Sequence, residues 1–270
     1  MEMGGRAAAL VLTALAAGAP AADLKPETVQ AFERYIRAAE ARIEEQLGAG
    51  KNFLWTDEAA ARQRLVRAGE IAIERFNTDE TRAPGGLIHD WTGAVFAPGV
   101  TLRETLALVQ DYARHQRIYQ PEVIVSRLIR RDGNYFKIHL RLLKKKVLTV
   151  VLNTEHDVRY FPLDAARCHS RSYSTRVAEV VNAGSPGERE LPPGEGNGFL
   201  WRLYSYWRFQ EKDGGVYIEC RAISLTRDVP TGLGWLIEPI IRNLPRESLA
   251  STLRATRDAL GGAAPAPVAK

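Results

Sequence analysis

Arg227-Asp228-Val229-Pro230-Thr231-Gly232-Leu233-Gly234-Trp235 is the stretch on which the reading of this chain turns. Before it, from Val123 to Leu225, apolar and polar residues alternate with period two; after it, as far as Leu260, apolar residues recur at helical spacing. Leu233, Leu236, Ile237, Ile240 and Leu244 form one stripe, and Leu249, Leu253, Thr256 and Leu260 continue it. Asp228 or Thr231 can cap the start of this helix. Pro239 and Pro245 each remove a backbone donor and crowd the preceding turn, so a bend is expected there. A long amphipathic helix needs an apolar partner, and the strands before it supply one. A curved sheet gripping one C-terminal helix leaves a cavity between the two.

Turn signals divide the period-two region: Arg131-Asp132-Gly133-Asn134, Asp164-Ala165-Ala166 and Glu211-Lys212-Asp213-Gly214-Gly215. Six antiparallel strands result, with a Pro- and Gly-rich surface loop at 182–198. In Tyr135 to Leu143, Phe136, Ile138, Leu140 and Leu142 should face the helix and Lys137, His139 and Arg141 water. Further on, Trp201, Leu203, Ser205, Trp207 and Phe209 alternate with Arg202, Tyr204, Tyr206 and Arg208. In the last strand Ile218, Cys220 and Ala222 alternate with Tyr217, Glu219 and Arg221. The longest strand puts Leu148, Val150, Leu152, Thr154, His156, Val158 and Tyr160 on one face. Cys168, Ser170, Ser172, Ser174 and Ala178 form a row of small residues. Turned inward, that row leaves room that a close-packed interior rarely wastes; turned outward, it places Arg171, Tyr173 and Val177 inside. Both arrangements are open on the sequence.

The N-terminal half reads as helices around a hairpin. Pro26 to Leu47 carries Phe32, Ile36, Ala39, Ile43 and Leu47 on one stripe, closed by Gly48 and Gly50, and should pack outside the sheet or extend it. A connection at 51–67, helical around Glu58 to Leu65, leads to strands Glu70 to Phe76 and Leu87 to Phe96 across Ala83-Pro84-Gly85-Gly86. Thr101 with Glu104 three residues on opens a helix holding Leu102, Leu106, Val109 and Tyr112. No repeat or linker divides the chain, so one domain is expected over 68–260, preceded by a helical segment at 23–67 and followed by a disordered tail at 261–270.

The ends and the charge bound the rest. Arg6, the apolar run Ala7 to Ala17 and Ala19-Pro20-Ala21 have the shape of a secretory signal. Cleavage is expected after Ala21 or Ala22, which implies a periplasmic or secreted protein. The run is too short for a lasting anchor, which needs ~20 apolar residues. The net charge of +5 in 270 residues is spread along the strands, which argues against nucleic acid as a partner. Lys144-Lys145-Lys146 reads as a strand end in solvent, with transient contact to an anionic membrane surface as the alternative.

The order helix, two strands, helix, six strands and long C-terminal helix resembles the START-like superfamily of helix-grip proteins. Its bacterial polyketide-cyclase and coenzyme Q-binding branch is the nearest likeness. The residues that carry it are Asp90-Trp91-Thr92-Gly93 with Pro98, Gly198-Phe199-Leu200-Trp201, Gly215-Val216-Tyr217-Ile218-Glu219 and Leu225-Thr226-Arg227-Asp228-Val229-Pro230-Thr231-Gly232, within 68–260. The resemblance implies an α+β helix-grip fold, a curved antiparallel sheet wrapped around a long C-terminal helix, here with an extra N-terminal helix. It also implies that the strand holding Phe199 to Gln210 lies between those of Cys168 and Cys220. The two thiols would then stand beyond the ~7 Å Cα separation that a disulfide tolerates. The superfamily hosts lipid carriers, hormone receptors, cyclases and dioxygenase subunits, so the function it implies is coarse.

Chemistry has few candidates. His156 and Tyr160 share the inner face four residues apart, with Arg176 or Glu219 as conceivable partners for catalysis, but a hydrogen-bonded pocket role is the stronger reading. His89-Asp90 suits a strand-edge role. Glu155-His156-Asp157 looks like a metal site until alternation turns His156 away from both carboxylates, so no metal is expected. Nucleophile elbow, phosphate loop and Rossmann fingerprint are missing from the sequence, and no catalytic residue or cofactor is assigned. The pocket is expected to be lined by Trp91 and Tyr112, by Phe136, Ile138, Leu140, His156, Tyr160 and Arg176 from the middle strands, by Trp201, Leu203, Trp207, Ile218 and Cys220, and by Trp235 and Ile240 of the last helix. The four tryptophans suit plain core equally well. The expected function is an exported binding protein for a hydrophobic small molecule or lipid, such as an isoprenoid, sterol-like or acyl compound. The alternatives are a cyclase or aromatase-like enzyme using His156 and Tyr160, and an interaction module with a filled pocket.

Overall fold

The computed structural model describes residues 23–48, 52–76, 81–145, 149–228 and 234–261; the side chains at 81 and 234–242 lie outside it. The expected signal segment, Leu148, Thr231, and the side chains of Trp235, Leu236, Ile237 and Ile240 therefore fall outside the described residues.

Helix α1 (Pro26–Gly48) is followed by a 3₁₀ turn (Trp55–Glu58) and α2 (Ala60–Arg67). Strands β1 (Ala72–Arg75), β2 (Thr81–Ala83) and β3 (Gly86–Pro98) come next, so the expected hairpin gains a short extra strand at its turn. Helix α3 (Leu102–Gln110) starts at the capping box read from Thr101 and Glu104: the Glu104 amide donates to Thr101 Oγ1 and the Thr101 amide to Glu104 Oε2 at 2.8 Å. A 3₁₀ turn (Tyr112–Arg114) and α4 (His115–Ile118) lead into β4 (Val123–Asp132), β5 (Tyr135–Lys145), β6 (Thr149–Pro162) and β7 (Arg167–Val181). The short β8 (Arg189–Glu190) sits in the expected surface loop, and β9 (Arg202–Lys212), β10 (Gly215–Arg227) and α5 (Gly234–Ala259) complete the chain.

The sheet is antiparallel, in the order β1-β3-β10-β9-β7-β6-β5-β4. This is the helix-grip arrangement: α5 packs on β3, β10 and β1, and passes both Pro239 and Pro245 without interruption. Its approach is set by Gly93, where a Cβ would stand 2.7 Å from Leu253 Cδ1. A side chain at this position would force the Leu253 tip to shift. At the far end of α5 the Tyr119 and Thr256 hydroxyls are 3.1 Å apart, and Arg257 donates to the Gly69 carbonyl at 2.5 Å.

The convex face is closed by α1. Phe32, Ile36, Ala39 and Ile43, the stripe read from the sequence, pack against Ile88, Trp201, Tyr206, Ile223 and Leu225. Charge is buried here too. Arg221 Nε and Nη2 bind Asp90 at 2.9 and 2.5 Å, and the Tyr35 hydroxyl donates to the same carboxylate at 2.6 Å. Glu219 accepts from the Trp55 amide at 2.7 Å and from the Thr56 amide and hydroxyl at 2.8 Å, so the sheet holds the 3₁₀ turn by a carboxylate. Burial pushes that carboxyl above its ordinary range while these donors pull it down. A crevice of about 30 Å³ between α1 and the sheet, lined by Gln46, Trp55, Thr92, Arg208 and Glu219 among others, has room for a water but not for an organic ligand.

Candidate functional site

Antiparallel register turns the alternation of each strand into rows that cross the concave face. The first row is Val95, Ile218, Phe209 and Cys168, at most 1% exposed, packed under Leu249 and Leu253 of α5 and Leu102 and Val109 of α3. The second is Gly93, Cys220, Trp207, Ser170 and Tyr160. The third is Trp91, Ala222, Ser205, Ser172, Val158 and Phe136. The fourth is His89, Ser224 and Leu203, then Ser174, His156 and Ile138; the Leu203 amide donates to Ser174 Oγ at 2.9 Å. None of these named members is charged; the third row ends in cations, Arg75 of β1 lying over the Trp91 ring at 5.4 Å and Arg131 of β4 over the Phe136 ring at 4.9 Å.

The rows differ in how they are filled. In the third, Trp91, Ala222, Ser205 and Ser172 are each only half-buried although they stand on four adjacent central strands. The serine row of β7 thus faces inward, with Arg171 and Tyr173 on the opposite side bonded to Glu44 and Glu40 of α1. A strip of small uncharged side chains forms the floor, α5 stands on the β3–β10 side and the α3–α4 segment on the β4 side.

Beside this floor lies an aromatic wall. The Tyr112 and Tyr160 hydroxyls are 3.0 Å apart, with ring centroids of Tyr112–Phe136 and Phe136–Tyr160 at 5.4 and 5.5 Å. Burial drives both phenols well above the usual tyrosine range. Tyr160 also lies 3.4 Å from the Val109 carbonyl, and His115 Nε2 reaches the same carbonyl at 3.1 Å. His156 is 4% exposed, and desolvation lowers it to about 4, so its ring is neutral. Thr154 Oγ1 donates to the Leu140 carbonyl at 3.2 Å, so in its 3.0 Å contact with His156 Nε2 the ring is the donor. His156 Nδ1 is left as a buried acceptor without a partner. The Trp91 indole N–H, on the third row, is a buried donor without one.

The structure therefore brings Trp91, Phe136, Ile138, His156, Tyr160, Trp207, Leu203, Ile218 and Cys220 to one face, with Tyr112 and Leu140 packed against the same cluster. Trp235 and Ile240 lie outside the described side chains. Trp201 is a correction. It precedes β9, so strand alternation does not govern it, and it packs on the convex side with Phe32 and Ile36. Arg176 is another, paired with Glu190 and opposite Glu155. A bulge at the Glu155/His156 step inserts one residue into β7 and reverses its parity, which also takes Ala178 off the serine row. Glu219, considered as a partner for His156, is bonded on the convex face instead. His156 and Tyr160 are tied to different partners, with Val158 between them. Cys168 and Cys220 are free and buried, with β9 between their strands as the resemblance implies. Sequence reasoning missed Ser205 and Ala222 as floor residues; their juxtaposition with Ser172 appears only once strand order is known.

Among the described residues no group of three or more His, Cys, Asp or Glu could hold a metal ion. No protein-family model matches the chain, and no curated protein does. Solved structures of the START superfamily do. A STAR-related lipid transfer protein of Xanthomonas axonopodis is 14% identical, over 71% of this chain and 98% of that one, with a TM-score of 0.46. The Zhui aromatase/cyclase of a Streptomyces is 10% identical over 68% and 99%, at 0.42. A START superfamily protein of Mycobacterium smegmatis is 10% identical over 64% and 97%, at 0.41.

Proposed function

We propose that this protein binds a neutral, largely apolar molecule on the concave face, between the sheet and α5, and carries it without changing it. The observation that supports this most directly is the half-buried third row. Four small or partly covered side chains on adjacent central strands leave surface uncovered, whereas the first row, two steps along the same strands, is packed to 1% exposure or less. A close-packed interior does not leave such surface without reason. The middle of the rows is uncharged, with cations only at the ends of the third (Arg75 and Arg131), which favours a neutral body for the ligand there, since an ionised group would be desolvated without a counter-ion. Serine hydroxyls and the free His156 Nδ1 and Trp91 N–H suit one or two hydroxyl or carbonyl groups on that ligand.

Purified protein extracted with organic solvent and analysed by mass spectrometry should yield a neutral lipid, or take up an apolar dye when empty. Ser172→Phe with Ser205→Leu should abolish uptake while the melting temperature stays within a few degrees. Wild-type protein that is consistently empty and ignores neutral apolar probes ends the proposal. The cyclase alternative rests on a neutral imidazole able to accept a proton at Nδ1; product profiles unaffected by replacing both His156 and Tyr160 with Phe would dispose of it.

Export belongs to the same proposal and rests on the sequence of residues 1–22. Intact-mass measurement on protein from cell fractions should give a chain starting at Ala22 or Asp23; a chain retaining Met1 in the cytosol contradicts it.

A further inference from the structure

β4 is the outer strand of the sheet, bonded within it to β5 alone. Two of its residues have no register partner: Ile124 falls between paired Val123 and Val125, and Ile129 between paired Leu128 and Arg130. Both are bulge positions. Ile124 is 41% exposed, Leu128 44% and Ile129 51%, which makes three of the five large exposed apolar side chains among the described residues. They stand within six residues of one another. Between and beside them are Arg127, Arg130 and Arg131, all exposed.

The charge of the chain gathers here as well. Val123–Lys145 holds seven Lys and Arg against one Asp, a net of +6 compared with +5 for the whole protein. On β5, Lys137, Arg141 and Lys144 are paired with Glu155, Glu188 and Glu122. On β4 the sole carboxylate is Asp132, 3.4 Å from Arg130; Arg131 lies over the Phe136 ring at 4.9 Å, and Arg127 has no ion pair among the described residues.

Bulges and cations along an edge hinder another strand from adding to it. Aliphatic side chains interleaved with exposed guanidiniums fit a fluid surface that offers anionic head groups above an apolar layer. We infer that the β4 edge docks the protein reversibly on an anionic lipid bilayer, with Arg127, Arg130 and Arg131 at the head groups and Ile124, Leu128 and Ile129 at the acyl boundary. The inference stands independently of any ligand on the concave face. Among the described residues no helix is long and apolar enough to cross a membrane.

Vesicle co-sedimentation of the full chain tests it, with phosphatidylcholine alone and mixed with phosphatidylglycerol. Binding should require the anionic lipid and weaken with salt. Replacing Arg127, Arg130 and Arg131 together with Ala should lower partitioning by about 100-fold, at roughly a factor of five per cation. Ile124→Ser with Ile129→Ser should lower it about tenfold. All five positions are exposed, so unchanged circular dichroism is expected. An environment-sensitive fluorophore on Ile129→Cys reads the edge itself, since the native thiols are buried; its emission should shift to the blue with mixed vesicles. No shift, no anionic preference, or equal partitioning of the arginine variant overturns the inference. A response to an acidic polypeptide with none to vesicles overturns it in favour of a protein partner.

Discussion

The two faces of this sheet are made by the same strands, yet they are built on opposite plans. On the convex side alternate residues bring Asp90, Glu219, Arg221, Arg208 and Arg171 beneath α1 and the 3₁₀ turn, and these charges are bonded: Arg208 donates to the Phe53 carbonyl at 2.9 Å and to Gln46 at 2.8 Å, and Glu40 accepts from Tyr173 and Tyr206. On the concave side the intervening residues of the central strands are uncharged, and Ala222, Ser205 and Ser172 in the third row are small and half-buried. Buried ion pairs hold a partner in one geometry, because breaking one leaves a charge with nothing to face. A neutral, shallowly filled floor imposes no such geometry. The difference separates a face committed to its own chain from one left for something else.

The largest effect should come from Asp90→Ala, which leaves Arg221 buried without its carboxylate. Denaturant unfolding should show a loss of about 3–5 kcal/mol. Acid comes next. His89, His115 and His156 are lowered by desolvation to about 4 from an ordinary value near 6.5. Between those values the unfolded chain binds protons that the folded chain refuses, so stability falls as pH drops through that window and the loss is complete below it. For His156 alone the effect at the acid end is on the order of 3 kcal/mol, and His156→Phe should flatten that part of the profile of unfolding midpoint against pH. Gly93→Ala should cost about 1–3 kcal/mol by driving a methyl into Leu253, seen as a lowered melting temperature. The smallest effect belongs to the floor: Ser172→Ala should change stability by less than about 1 kcal/mol, because the site is only half-buried. A large loss there would show that the concave row is ordinary core.

Much of this plan was legible in the chain. The period-two runs gave both faces of β5, β6, β9 and β10, and the α1 stripe named the residues that cover the convex side. Three things were not legible, each for a physical reason. The bulge in β7 depends on how two strands accommodate an extra residue, which alternation within one strand cannot reveal, so Arg176 and Ala178 changed sides. Trp201 lies just before its strand begins and answers to the helix above it. Glu219 meets Trp55 and Thr56 across more than 160 residues, and no local pattern connects a strand carboxylate to that turn. The floor needed strand order as well: Ser172, Ser205 and Ala222 become neighbours only when β9 is set between β7 and β10.

The grip of Glu219 on Trp55 and Thr56 ties the segment before residue 68 to the sheet. Trimming the protein to the sheet and its last helix, by starting at residue 68, would strip away every donor that carboxylate has in the 3₁₀ turn and expose the apolar wall under Phe32 and Ile36. Such a shortened polypeptide should aggregate or arrive insoluble, whereas one starting at residue 23 keeps its own cover.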